Sequence, residues 1–565
     1  MKKIIPVIVA IVLIIIVVIA GFGAKIVEKY SYSDERANLE EYYGITGADD
    51  VPIILQDEQV EEHARIWDGV CYFDFATVHK YFNDRFYEDK KEGLLLYTTP
   101  DSIIRTEIGT SVYSTSQGET SDEGYVIARY EGDMLYVAAD YVKKYTNFSY
   151  ELFAEPYHMQ VYTEWQERQV ADISKDTQVR YRGGVKSEIL TDVKKGDTVV
   201  VLETMENWTK VKTKDAYIGY VENKRLTNQR MEEPIPVTDY EEPVYASISK
   251  DYKINLAWHA VYSVAGNDTL KEMLSTTKSV NTISPTWFVL SDNEGNYTSL
   301  ASKEYVDTAH DMGLEVWALV SNITENTEID MYELLSKTST RTHLIDQLMA
   351  TALEYNLDGL NIDFEDIGVD TGEAFIEFIR ELSIPCRENG IVLSVDNYVP
   401  MGYNDYYHRE EQGVVADYVI IMGYDEHHGN SEETGSVASI DFVENGIANT
   451  VAEVPAQKVI NAIPFYTRIW ETNGGSVSSQ VVGMEMANQY IADHNIEKRW
   501  DEATCQNYGE YQSGDSFYQV WLEDAESIQV KLNIMKKYEI AGVAEWRLGL
   551  ETPSIWDTIA EYVSQ

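Results

Sequence analysis

Asp358-Gly359-Leu360-Asn361-Ile362-Asp363-Phe364-Glu365 places an amide and two carboxyls at alternate positions of an otherwise apolar run. Side chains alternate along a β-strand, so Asn361, Asp363 and Glu365 share one side while Ile362 and Phe364 take the other. Carboxylates aimed inward from an apolar strand are costly unless they have a role. Two carboxyls so close do not readily ionise together, and their coupling keeps Glu365 protonated near neutral pH, the state a general acid needs. Further along, Met422-Gly423-Tyr424-Asp425 joins a phenol to a carboxylate, Tyr466 and Arg468 follow another apolar run, and Ala544-Glu545-Trp546 closes the last one on an indole. Trp258, Trp287, Trp317 and Trp470 suit either stacking on a ligand or packing between layers. His427 and His428 are adjacent and have no spaced partner, so no metal site is expected.

The elements that must position these groups are eight apolar runs separated by helical patterns: Lys253 to Val261, Ile283 to Leu290, Glu315 to Val320, Leu357 to Glu365, Val392 to Val399, Asp417 to Tyr424, Lys458 to Phe465 and Ala541 to Trp546. That alternation predicts a (β/α)8 barrel over residues 248–565. Glu365 then lies at the C-terminal end of its strand, the end on which barrel enzymes build their sites.

This region resembles glycoside hydrolase family 18, whose fourth-strand motif is D-G-x-D-x-D-x-E. The M-G-Y-D stretch is similar to the family's sixth-strand motif, and Ala544-Glu545-Trp546 to its final strand. Trp500-Asp501-Glu502 and Val520 to Asp524 look like a late insertion and the start of the last helix. The resemblance implies cofactor-free, retaining hydrolysis of an N-acetylated amino-sugar polymer, with the substrate's own acetamido oxygen as nucleophile. Glu365 would protonate the glycosidic oxygen and later activate water. Asp363 would hold the acetamido group, Tyr424 would donate to its oxygen, Asp425 would contact the sugar or position Tyr424, and Trp546 would form the floor of the site. Tyr466, Arg468 and Asp358 join the expected substrate-binding set. Asn361, counted with the catalytic residues, departs from the family's Asp, which neutralises or exchanges a proton with the middle Asp. A lowered rate or shifted pH optimum is expected, with catalysis retained. Family members that lose the acid are lectins, and a non-catalytic glycan-binding protein or a wall tether is the rival reading.

Upstream, Met1-Lys2-Lys3 precedes an uncharged apolar run to about Ala24, long enough to span a bilayer as an uncleaved anchor, with a signal peptide cleaved near Gly21-Phe22-Gly23-Ala24 as the alternative. With the lysines inside, residues after Lys25 are expected outside the cytoplasm, as in a single-pass bacterial surface protein. Residues 25–50 read as a polar stalk, 51–165 as a small α+β domain with a weak likeness to wall-associated modules related to the amine-oxidase N-terminal domain, and 229–247 as an acidic, Pro-rich linker. Residues 170–228 carry short strands and turns that resemble the bacterial Src-homology-3-like (SH3-like) all-β barrel, which implies a wall-peptide partner. Trp208 and Tyr220 fit its groove or its core equally well. The chain has 45 basic and 95 acidic residues among 565, a net charge of -50, which disfavours nucleic acid as a partner. Cys71, Cys386 and Cys505 are spaced too widely for a zinc site and read as buried thiols. An anchor facing the wall, with a wall-type accessory barrel, makes peptidoglycan the expected substrate and chitin the nearest alternative.

Overall fold

The computed structural model describes residues 5–234, 238, 240–324 and 329–564, with the side chains of 5–7 and 20–27 left aside. Two compact units form: Met1–Phe86 with Thr106–Ser114 and Thr120–Glu242, and Pro243–Gln565 with Tyr87–Arg105 and Thr115–Glu119.

The second unit holds eight parallel strands: β1 (Ile254–His259), β2 (Thr282–Pro285), β3 (Glu315–Ser321), β4 (Gly359–Asp363), β5 (Val392–Tyr398), β6 (Tyr418–Met422), β7 (Val459–Pro464) and β8 (Gly542–Trp546). Each pairs with the next and β8 returns to β1, closing the barrel. All eight expected runs are strands. The second is shorter than expected, because Pro285 has no N–H to continue a ladder. Phe288–Leu290 beyond it pairs instead with the end of β3 and with Tyr297–Ser299. Alternation along β4 sends Leu360, Ile362 and Phe364 outward into the layer of helices. Leu256, Trp258, Trp317, Leu319, Ile420 and Ala544 fill the inside. Helices α1 (Thr338–Tyr355) and α2 (Gly372–Asn389) flank β4, and α2 ends at Gly390 with φ 69°, the left-handed C-terminal turn glycine permits. Between β7 and β8 a five-stranded antiparallel sheet is inserted, beginning with Tyr466–Asn473 and ending with Ser516–Leu522.

Residues Tyr87–Arg105 belong to this unit through specific bonds. Asp89 Oδ2 accepts from the backbone N and the hydroxyl of Thr338, at 2.6 and 2.7 Å, capping α1. Thr98 Oγ1 donates to Glu377 on α2 at 2.9 Å.

In the first unit a seven-stranded mixed sheet spans residues 50–162, and seven antiparallel strands from Arg168 to Glu232 form the SH3-like barrel. The segment read as a stalk is not free-standing beyond Ser33. Arg36 bridges to Ile189, helix Leu39–Tyr43 follows, and Tyr43 enters the core of the SH3-like barrel. One helical turn is too short to show an apolar period in sequence. Trp208 and Tyr220 are half-buried and lie outside that core. Cys71 and Cys386 are buried and Cys505 is partly exposed, all as free thiols.

An N-terminal helix runs Ile5–Tyr30, and its large side chains from Ile8 to Ile19 are exposed. Among the described residues no helix is long and apolar enough to cross a membrane. The expected anchor, residues 1–24, falls in large part outside the residues whose side chains are described, as do 235–237 and 239 of the linker.

Candidate active site

The inward face of β4 carries Asn361 and Asp363 into the barrel, and Glu365 follows at its C-terminal mouth. Asn322, just past β3, clamps the Glu365 backbone from both sides: Glu365 N donates to Asn322 Oδ1 at 2.8 Å, and Asn322 Nδ2 donates to Glu365 O at 2.7 Å. A cleft of about 630 Å3 opens beside Glu365, lined by Asn322, Ile323, Asp330, Tyr332, Asp366 and Asp370 among others. Burial raises the Glu365 pKa, Asp366 and Asp425 add to the rise, and a hydrogen bond from Tyr398 opposes it. The carboxyl therefore stays protonated to higher pH than an ordinary glutamate.

Asp363 is buried, and its Oδ1 has no hydrogen-bond partner among the described residues. Burial pushes its pKa well up, with Asp396 and Glu365 adding to the effect. Asp396 comes from β5. It is 2 % exposed, and its pKa is likewise raised by burial against the opposing bond from Asn361. The Asn361 amide is satisfied on both sides. Its Oδ1 accepts from Trp258 Nε1 at 2.9 Å and Ser284 Oγ at 3.2 Å, and its Nδ2 donates to Asp396 Oδ1 at 2.8 Å and Ser394 Oγ at 3.1 Å.

Met422-Gly423-Tyr424-Asp425 leaves β6 at the same mouth. Gly423 is needed there, since a Cβ would lie 2.8 Å from both Ala462 O and Asn461 Oδ1. The Tyr424 hydroxyl is kept protonated by burial, with Tyr466, Asp363, Asp396 and Glu365 all adding to the rise. Tyr466 donates to Asp425 Oδ1 at 2.7 Å, and Asp425 itself sits at φ 60°. Trp546, at the end of β8, meets Trp258 edge-on with ring centroids 5.7 Å apart. Arg468 donates to Ser479 Oγ at 3.0 Å, on the neighbouring strand of the inserted sheet.

Asp358 does not join this group. It lies at the opposite end of β4, where its Oδ2 accepts from Val316 N and pairs with His310 Nε2, both at 2.8 Å. Its place seven residues before Glu365 on an extended strand puts it at the far end of the barrel. Asp396, Tyr398 and Asn322 lie in the candidate site beside Asp363 and Glu365, and the motif reading missed them. Ser394, Asp396 and Tyr398 alternate with Leu393 and Val395 in the same way as the β4 residues do, and that period was a usable signal.

A carboxyl whose pKa is raised, at the mouth of a barrel with buried carboxyls, phenols and the Trp546 indole nearby, can protonate a leaving oxygen and stabilise a cationic ring. That chemistry on this fold defines a barrel glycosidase. Comparison with known proteins makes the class specific. Residues 216–551 match the model of glycosyl hydrolases family 18, well over half of the chain, and 175–227 match that of the bacterial SH3 domain. The chain belongs to glycosyl hydrolase family 18 and is a glycosidase. The uncharacterized glycosylase YvbX of Bacillus subtilis is 28% identical over 291 residues, covering 50% of this chain and 84% of that protein. The cortical fragment-lytic enzyme of Bacillus subtilis is 24% identical over 232 residues, covering 40% of this chain and 54% of its own length. In fold, the chitinase of Chromobacterium violaceum aligns with TM-score 0.50 at 23% identity, over 55% of this chain and 99% of that one.

Proposed function

We propose that the protein is a membrane-anchored, extracytoplasmic hydrolase that cleaves β-1,4 bonds next to N-acetylglucosamine in peptidoglycan, by substrate-assisted retaining catalysis. The observation that carries the mechanism is the unpartnered Oδ1 of buried Asp363, on the same inward face as Glu365, whose pKa is raised, and near the Tyr424 hydroxyl. In this reading Asp363 accepts the acetamido N–H, Tyr424 donates to the acetamido oxygen, and that oxygen attacks the anomeric carbon while Glu365 protonates the leaving oxygen. Trp546 lies under the ring, and the Tyr466–Asp425 pair holds its rim. Arg468, tied to Ser479, borders the sugar on the side of the inserted sheet.

The choice of peptidoglycan draws on the cortical fragment-lytic relative and on the SH3-like barrel, which in this reading engages wall peptide. The apolar residues at the N-terminus hold the enzyme at the membrane. Mass spectrometry of products from purified peptidoglycan and from N-acetylglucosamine oligomers, with wild type and Glu365→Gln, tests all of this. Release of fragments with reducing-end N-acetylglucosamine from peptidoglycan is expected. Cleavage of the oligomers alone would make the enzyme a chitinase, no cleavage of either would end the hydrolase reading, and cleavage that survives in Glu365→Gln would mean that another group is the acid.

A further inference from the structure

Two carboxyls meet inside the barrel with no cation acting on either among the described residues. Parallel register pairs Asn361 with Ser394 and Ile362 with Val395, so the next positions, Asp363 and Asp396, sit side by side on adjacent strands and on the same inward face. Both are buried, and the other titratable groups that act on them are Glu365 and Tyr424. Two buried carboxylates at neighbouring positions of adjacent strands, the charge of one acting on the other, do not readily ionise together, so the pair keeps a proton.

The Asn361 amide sets where that proton goes. Trp258 Nε1 and Ser284 Oγ both donate to its oxygen, which obliges its nitrogen to face Asp396. A carboxylate at position 361 would set a second negative charge beside the one the pair carries, directly against Asp396. An amide stabilises Asp396 Oδ1 instead, without taking the proton itself.

We propose that Asp396 is a positioning residue that shares one proton with Asp363 and accepts it during the reaction. The inference rests on the substrate-assisted reading above. At rest the proton is on Asp363. As positive charge develops on the acetamido nitrogen, the proton passes to Asp396, so that Asp363 meets the charge as a carboxylate. Asp363 loses its O–H, Asp396 gains one, and the pair carries one negative charge throughout. The proton partner thus comes from β5, where Asn361 on β4 has no proton to exchange.

The test uses the full chain and two readouts. The first is the infrared carbonyl band of protonated carboxyls, followed against pH in a Glu365→Gln background to remove the acid's own signal. That band persists to higher pH in this background than when Asp396→Asn is added, because ionised Asp396 no longer opposes ionisation of Asp363. Asp363→Asn, which leaves Asp396 alone, is expected to lower it in the same way. A band unmoved by both substitutions overturns the proposal without any appeal to turnover. The second readout is hydrolysis of N-acetylglucosamine oligomers across pH. Asp396→Asn is expected to lower kcat by about tenfold or more with little change in KM, and to move the pH profile. The exchanged pair Asn361→Asp with Asp396→Asn, which returns a carboxyl to the neighbourhood of Asp363, is expected to recover much of that loss. A purely structural role for Asp396 predicts no recovery, and a folded exchange variant as slow as Asp396→Asn overturns the proposal. Wild type that cleaves neither polymer, with the infrared shift intact, would instead remove the hydrolase reading and leave the shared proton standing.

Discussion

Burial and Tyr398 oppose one another in setting the pKa of Glu365, the proposed acid. Burial and the charges of Asp366 and Asp425 raise the Glu365 pKa, while the Tyr398 hydroxyl favours the ionised form and opposes the rise. Activity that needs the protonated acid falls as pH rises through its pKa, so the alkaline limb of kcat/KM is expected above the ordinary glutamate value of about 4.3. Tyr398→Phe removes the bond to the charged form, and a pH–rate profile should show that limb moved further up. Glu365→Gln is expected to lower kcat by about 10²- to 10⁴-fold. The placement of Glu365, Asp363, Tyr424 and Trp546 at one mouth of the barrel was legible from motif and period alone. Asp396 and Tyr398 sit on a strand whose period was readable, but they belong to none of the recognised motifs, so their chemistry was not singled out. Asp358 misled because it belongs to the same motif, although its place seven residues before Glu365 on an extended strand already put it at the other end of the barrel. Glu545 shows the price of burial without partners. It is fully buried, both side-chain oxygens lack hydrogen bonds among the described residues, and burial lifts its pKa well above the usual value. Stability from such a raised group is fully present below the unfolded glutamate pKa and is lost as pH rises through the folded one. Glu545→Met is therefore expected to stabilise the protein by about 1–3 kcal/mol at neutral pH and by progressively less in acid. Denaturant melts at several pH values would check this, and a gain that grew on acidification would contradict it.

The elements around the barrel explain how segments far upstream take part in it. The residue before α1, Lys337, supplies no side-chain cap, and Asp89 does so from Tyr87–Arg105, along with accepting from the Lys91 and Glu92 amides. Next to it a buried ionic cluster joins α1 and α2: Arg341 to Glu381 at 2.9 Å, and Arg380 to Glu377 at 3.2 Å and to Glu411 at 2.7 Å. The Arg341 guanidinium lies 4.7 Å from the Tyr87 ring centroid. Breaking one partner of such a cluster leaves a charge uncompensated, which is far costlier than never having had the pair. Asp89→Ala is thus expected to destabilise the protein by about 2–4 kcal/mol, read as a lowered urea midpoint. An unchanged midpoint would mean that the cap contributes nothing. A chain starting at residue 248 should melt well below one that retains Tyr87–Arg105. Eight strands were visible in sequence because a barrel strand is an apolar run with its own period. The docking of 87–105 was invisible, since its partners are roughly 250–280 residues away and consist of single hydroxyls and carboxyls. Short pieces such as Leu39–Tyr43 escape for a related reason: their few apolar residues make no repeat.

At the scale of the whole molecule the governing quantity is charge. With 45 basic and 95 acidic residues, the net charge is -50. Walls that carry anionic polymers repel such a chain, so in the proposed reading binding comes from stacking, hydrogen bonding and shape rather than from charge. Screening then acts in an unusual direction. Raising ionic strength from about 0.01 M to 0.15 M shortens the Debye length from roughly 30 Å to 8 Å. For a protein drawn to its polymer by opposite charge this weakens binding. Here it removes repulsion, and association with intact walls is expected to strengthen over that range. Walls stripped of their anionic polymers should bind more tightly at low salt and show a smaller salt dependence. Co-sedimentation of the Glu365→Gln protein with both kinds of wall across that range separates the cases, since the variant does not consume the polymer that it binds. Binding to intact walls that falls as salt rises would mean that a local basic surface, rather than the overall acidic charge, governs how this glycosidase meets its substrate.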